Sequence, residues 1–207
     1  MEQYKYLGLC IDKDLTWNKQ VDSVINKISK VIGAIRHIRD YLSTKEKLIF
    51  YNAHVNSVLN YMIVIWGHTS KFNINRLQRT QNKLIKYLFK LPYDTHSSWI
   101  YKNYPILPIR KILFKESYML VYKITKNLLK SGLKIETEVV HQYNTRNRDR
   151  FKLGNKTKTN FERKRPSYAS VDLFNSLPKN IRTSATIKSF KKSIKNYLRE
   201  EIAETFV

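Results

Sequence analysis

One cysteine, Cys10, stands in 207 residues. A disulfide framework within the chain and a multi-cysteine zinc site are both excluded, and the composition fits a reducing, intracellular compartment, nucleus or cytoplasm. Glycine and proline number five each, too few for a collagen-like or flexible-linker chain. Long apolar runs are missing: Met62–Trp66 is the longest, far short of the roughly 18 residues of a membrane span. The first residues lack the basic-then-apolar order of a signal peptide. Acidic residues are scarce, 16 against 39 Lys plus Arg, for a net charge of +23. That imbalance favours a polyanion, nucleic acid above all, as the partner. A membrane surface is not expected, because the cations are spread over several helices and a loop, not gathered opposite one apolar face.

What is present is a globular composition, 42% hydrophobic and 13% aromatic, which excludes wholesale disorder. The charge is uneven: residues 1–94 carry +8, residues 95–199 carry +18 and the last eight carry −3. Residues 4–12 read as one short strand with no evident mate, broken at Asp12-Lys13-Asp14. Amphipathic helices follow. The first spans about 17–41, with Thr16 as its N-cap. The second runs from a capping box at Ser43 and Glu46 to about Asn60, and Gly67 ends the apolar patch after it. The third covers about 73–90, with Arg76, Arg79, Lys83, Lys86 and Lys90 opposite its apolar face. A short helix near 97–103 is capped by Ser97 or Ser98. A long helix over 108–130 starts at Pro108 and stops at Gly132. Apolar periodicity then fades, and residues 141–165 hold nine basic and two acidic residues, a loop or irregular hairpin presenting cations. Ser170 caps a short helix ending at Pro178, and Ser184 or Thr186 opens a final helix to about 203.

Catalytic constellations are not found. There is no glycine-rich phosphate loop, no Gly-x-Ser-x-Gly and no Asp-Asp pair of the kind that holds two metals. Asp12 and Asp14 mark a strand end in a turn. The five histidines have no ligand spacing, and Cys10 reads as a small buried hydrophobe. Binding chemistry is better supported. Arg146, Arg148 and Arg150 alternate, so an extended backbone sets them on one face toward phosphates. Tyr143 and Phe151 bracket them and either stack on bases or anchor the segment to the core. Trp66 and Trp99 are expected in the core.

Several motifs now align with one family. Tyr6-Leu7-Gly8-x-x-Ile11-Asp12-x-x-Leu15-Thr16-Trp17 resembles a block of non-LTR (LINE-type, jockey-like) retrotransposon reverse transcriptases that follows the palm's catalytic strands and corresponds to the primer grip. Residues 28–36 resemble the first thumb helix. Leu59-Asn60-Tyr61 with Ile65-Trp66-Gly67 resembles an "L-x-Y…W-G" signature, and Leu77-Gln78-Arg79 with Gln81-Asn82 and Leu84-Ile85 an "L-Q-x-x-Q-x-x-x-I/L-R" helix. His141-x-Tyr143-Asn144-Thr145-Arg146, Phe174-Asn175-Ser176-Leu177-Pro178 and Ser189-Phe190-Lys191-Lys192 through Tyr197-Leu198 resemble the later motifs, in order. Gln20 stands where the family usually has His, and Phe174 where it has Trp.

The resemblance implies a mainly α fold: a helical thumb-like bundle, a short N-terminal strand left from the palm, and a basic irregular segment before C-terminal helices. The expected divisions are 1–16, 17–132 and 133–207. It implies a non-catalytic piece of an RNA-directed DNA polymerase that holds template–primer or element RNA. The fingers and the Asp-Asp palm are not in this sequence, so no activity is expected of it alone; Mg2+ belongs to that palm, and this chain is expected to take no cofactor or metal. Its protein partners would be the palm and fingers of the same polyprotein. Tyr6, Leu7 and Gly8 are the primer-grip-like residues. Arg76, Arg79, Lys83, Lys86, Arg146, Arg148, Arg150, Lys152, Arg163, Lys164 and Arg165 are the expected nucleic-acid contacts. The alternatives are a co-opted free-standing nucleic-acid-binding protein and an inert element remnant.

Overall fold

A computed structural model describes residues 3–132, 135–137, 151–153 and 165–205. These residues are mainly α-helical, and they group into two compact units. One holds the described residues up to Leu113 and the chain end from Ile202. The other is Phe114–Glu201.

The first unit opens with a β-hairpin where the sequence predicts one unpaired strand. Strand β1 (Gln3–Tyr6) runs antiparallel to β2 (Leu9–Asp12), with Tyr6 opposite Leu9 and Gln3 opposite Asp12. The two turn residues have positive φ, 46° at Leu7 and 81° at Gly8. That is the two-residue turn whose twist matches paired strands. The strand therefore supplies its own mate, and the sequence concealed this because leucine is a rare occupant of the left-handed region.

Asp12 organises the exit from the hairpin. Its carboxylate accepts from the backbone N–H of Thr16 at 2.7 Å and of Trp17 at 2.8 Å. Helix α1 (Asn18–Ile35) follows, shorter than predicted, with Val21, Val24, Ile28 and Ile35 buried along one face. Helix α2 (Thr44–Tyr51) starts at the expected capping box: Glu46 N–H donates to Ser43 Oγ, and Ser43 N–H to Glu46 Oε2 at 2.7 Å. A π-helical stretch (Asn52–Asn56) interrupts the predicted single helix before α3 (Ser57–Asn60). Met62, at φ 50°, then starts α4 (Ile63–Trp66). Helix α5 (Lys71–Phe89) is capped by Ser70 and packs against α1. Helix α6 (Ser97–Asn103) takes His96 as its cap, not Ser97 or Ser98. Burying side chains such as Leu59, Trp66, Leu77 and Leu84 stabilises the unit by about 1.5–3 kcal/mol each. Trp99, predicted in the core, is 46% exposed: α6 turns Ile100 and Tyr101 inward instead.

Gly67 closes α4 with no room for a side chain. A Cβ there would lie 2.5 Å from the Ile63 carbonyl oxygen and 3.0 Å from Leu113.

Helix α7 (Ile109–Thr125) begins at Pro108 but ends before Gly132. Asn127, at φ 53°, reverses the chain and lets Leu128 N–H reach the Lys123 carbonyl at 2.8 Å, the left-handed cap that Asn tolerates. In the second unit, strands β3 (Ile135–Thr137) and β4 (Phe151–Leu153) pair antiparallel. Helix α8 (Pro166–Ser176) begins at a proline, upstream of the predicted start, and Ser170 is buried inside it instead of capping it. Helices α9 (Lys179–Arg182) and α10 (Ile187–Thr205) complete the chain, with Thr186 Oγ1 accepting from Ser189 N–H. An aromatic cluster forms this core. Tyr122 stacks on Phe190 at 3.9 Å and 13°, and Phe151 meets Phe174 edge-on at 5.5 Å. No described helix is long and apolar enough to cross a membrane.

Candidate nucleic-acid interface

Helix α5 has two working faces. Ile74, Leu77, Leu84, Ile85 and Leu88 are buried. Arg79, Lys83, Lys86 and Lys90 recur at steps of three and four on the other, so their side chains share a stripe about 16 Å long at roughly 1.5 Å per residue. Lys90 closes the helix in the left-handed conformation, φ 55°.

That stripe borders an open groove of about 840 Å³. Its cations are Arg39, Arg79, Lys83, Lys86 and Lys90, and Ile32, Asn82, Tyr87, Leu91 and Tyr93 complete the lining. Arg39 comes from the turn after α1. Its guanidinium lies 4.0 Å from the Tyr87 ring centroid and donates to the Tyr87 carbonyl at 3.0 Å, a contact that fixes the cation in place. Asp40 pairs with Lys90 at 2.9 Å and Arg39 at 3.3 Å. The hydrogen bond from Lys90 holds the Asp40 carboxyl below its usual range. Exposed pairs of this kind contribute little to stability. Among the described residues, no acidic group pairs with Arg79 or Lys83.

The predicted contacts divide on this geometry. Arg79, Lys83 and Lys86 meet in the groove. Arg76 does not line it: its guanidinium pairs with Asp22 at 2.6 Å and reaches Asn73 at 3.4 Å. Lys152 sits in β4 opposite Glu136, and Arg165 is exposed at the start of α8. Arg146, Arg148, Arg150, Arg163 and Lys164 lie outside the described residues, as does Tyr143. Phe151 packs on Phe174, the anchoring role. Arg39 and Tyr93 escaped sequence reading, because neither sits on an amphipathic face and only the α1–α5 packing brings Arg39 to the stripe.

Tyr6, Leu7 and Gly8 form the tip of the hairpin, all exposed. The Leu7 carbonyl accepts from the Tyr61 hydroxyl at 2.5 Å, and Gly8 faces the Tyr61 ring. Trp66 Nε1–H donates to the Tyr61 carbonyl at 2.9 Å. Two motifs more than fifty residues apart are thus one structural joint.

The "L-Q-x-x-Q" residues are structural too. Gln81 is fully buried. Its Nε2 donates to the Tyr51 hydroxyl and the Leu107 carbonyl, both at 2.8 Å, and its Oε1 accepts from Tyr101 at 3.0 Å. Gln78 Oε1 accepts from Ile109 N–H at 3.0 Å. Burial pushes the Tyr51 and Tyr101 hydroxyls well above the usual tyrosine range. Asn175 of the "N-S-L-P" motif clasps Phe151 from both sides, accepting from its N–H and donating to its carbonyl at 2.9 Å each. Among the described residues, no three His, Cys, Asp or Glu side chains could share a metal ion.

Comparison with known proteins finds relatives over part of the chain. The chain is similar to part of several retrotransposon polymerases. It is 28% identical over 104 residues to the probable RNA-directed DNA polymerase from transposon BS of Drosophila melanogaster, covering 49% of this chain and 12% of that protein. It is 26% identical over 98 residues to the RNA-directed DNA polymerase from mobile element jockey of Drosophila funebris, covering 44% and 10%. Against the probable RNA-directed DNA polymerase from transposon X-element of Drosophila melanogaster it is 28% identical over 102 residues, 48% and 11%. The match thus spans about a tenth of the length of these relatives. No protein-family model and no solved structure matches the chain.

Proposed function

We propose that this chain is a non-catalytic, nucleic-acid-holding part of a non-LTR retrotransposon RNA-directed DNA polymerase, and that the groove beside α5 grips the phosphate backbone. The observation that carries the reading is the convergence of Arg39, Arg79, Lys83, Lys86 and Lys90 on one open groove, with Asp40 paired to Arg39 and Lys90 alone among them. A cationic stripe with no base-reading geometry supports affinity without sequence preference. The similarity to polymerases named for RNA-directed DNA synthesis supports template or primer as the ligand.

The hairpin belongs to a second surface of the same reading. Tyr4, Tyr6 and Leu7 are 56–62% exposed, and Tyr61 holds the turn in place. This apolar edge is offered to the palm of the same polyprotein or to the primer strand.

The test is a salt titration of binding, by fluorescence anisotropy, on duplexes of unrelated sequence. The expected logarithmic slope is about −4, from about four or five neutralised phosphates at roughly −0.9 each on B-DNA. Affinity should differ little between sequences. A slope near zero overturns the reading.

A further inference from the structure

We propose that the groove is built for an unpaired strand: Tyr93 stacks on a nucleobase while the cations of α5 hold the adjoining phosphates. This rests on the reading of the groove as a nucleic-acid interface.

Tyr93 is 95% exposed although it lines the groove. The neighbouring aromatics are already engaged. Arg39 covers Tyr87, and Phe89 stacks on Tyr104 at 4.0 Å. Tyr93 also sits on an anchored loop. Leu91 N–H donates to the Lys86 carbonyl at 2.9 Å, and Thr95 N–H to the Pro92 carbonyl at 3.1 Å. Lys86 Nζ donates to the Tyr93 carbonyl at 2.6 Å and lies 5.6 Å from its ring centroid. One cation of the stripe therefore fixes the backbone that presents the ring. Ordering that backbone in advance removes part of the ordering cost from binding.

The ligand's chemistry follows. A free ring face beside a row of cations matches a planar base beside its own phosphate. Bases inside a duplex are stacked on one another and offer no free face. The base must come from a single strand, an overhang or a frayed end. Asp94, exposed beside Tyr93, opposes a phosphate at the loop tip and leaves that position to the base. DNA and RNA strands share this chemistry, so both are expected to bind.

The experiment compares, on the full chain at fixed salt, a single strand carrying bases with an abasic strand of equal length. The wild type should prefer the base-bearing strand by at least about fivefold, the low end of one stacking contact. Tyr93→Leu should erase that preference while leaving abasic binding and its salt slope unchanged. Tyr93→Phe should retain it. A fluorescent purine analogue in the strand should be quenched by the wild type and not by Tyr93→Leu. If Tyr93→Leu keeps the preference, or the wild type shows none while still binding the abasic strand with steep salt dependence, the stacking proposal falls and the groove reading stands. If neither strand binds, the stacking proposal falls, and the duplex titration alone decides the groove reading.

Discussion

Replacing Gln81 with leucine tests the network that sets the orientation of α5. The two side chains are close in volume, so little cavity forms, and the loss is one of hydrogen bonding. Gln81 Nε2 serves the Tyr51 hydroxyl and the Leu107 carbonyl at 2.8 Å, and Tyr51 is 1% exposed, so water cannot replace the amide there. Tyr101 loses Gln81 but keeps Asn82 Oδ1 at 2.6 Å. The Tyr51 hydroxyl is thus orphaned, and the half-buried Leu107 carbonyl loses its amide partner. At about 1–3 kcal/mol each, the expected loss is about 3 kcal/mol. With a urea dependence of about 2–3 kcal/mol per M, the unfolding midpoint should fall by about 1 M. The double variant Tyr51→Phe/Gln81→Leu removes one orphan and should recover at least about 1 kcal/mol relative to additivity. Urea denaturation followed by circular dichroism reads both. A Gln81→Leu midpoint within error of wild type, or strict additivity with Tyr51→Phe, would refute the reasoning.

Three further outcomes follow from the same structure. Gly67→Ala forces a Cβ to within 2.5 Å of the Ile63 carbonyl oxygen and should destabilise the first unit by at least about 2 kcal/mol, read as a lowered urea midpoint. Asn175→Ala removes both hydrogen bonds to Phe151, so amide exchange at Phe151 should accelerate at least about tenfold. Alkali should unfold the protein early: burial raises the hydroxyls of Tyr51 and Tyr101 and pushes Tyr118 up to about 12. Folded values above unfolded ones mean stability is complete below about pH 10 and is lost as pH rises through the folded values, by up to about 1.4 kcal/mol per pH unit for each group. Stability that is flat to pH 12 would contradict this.

The sequence showed its helices because burial along α1 and α5 follows the helical repeat, and because Ser43-x-x-Glu46 is a local signal with a local cause. The misses are non-local or unmarked. Leu7 enters the left-handed region because the hairpin turn requires it and Tyr61, far along the chain, holds it there. No glycine or proline marks the π-helical stretch at Asn52–Asn56, so it read as continuous helix. The basic stripe on α5 was legible as a face. Which of its members is free was not, since Asp22 removes Arg76 through α1–α5 packing and the same packing delivers Arg39 to the groove. The family-like motifs are largely architectural. Gln81, Tyr61, Gly67 and Asn175 hold backbone and buried hydroxyls in place, while the groove cations Arg39 and Lys90 stand outside those motifs.

The most direct measurement compares the salt slope of nucleic-acid binding in two variants that each lose two cations. Arg79→Gln/Lys83→Gln removes charge from the groove, and Lys191→Gln/Lys192→Gln removes the same charge from exposed positions of α10. A groove that grips phosphates predicts a slope shallower by about 2 for the first variant and unchanged for the second. Equal changes in both would show that the groove has no special part in binding and that the general positive charge accounts for it.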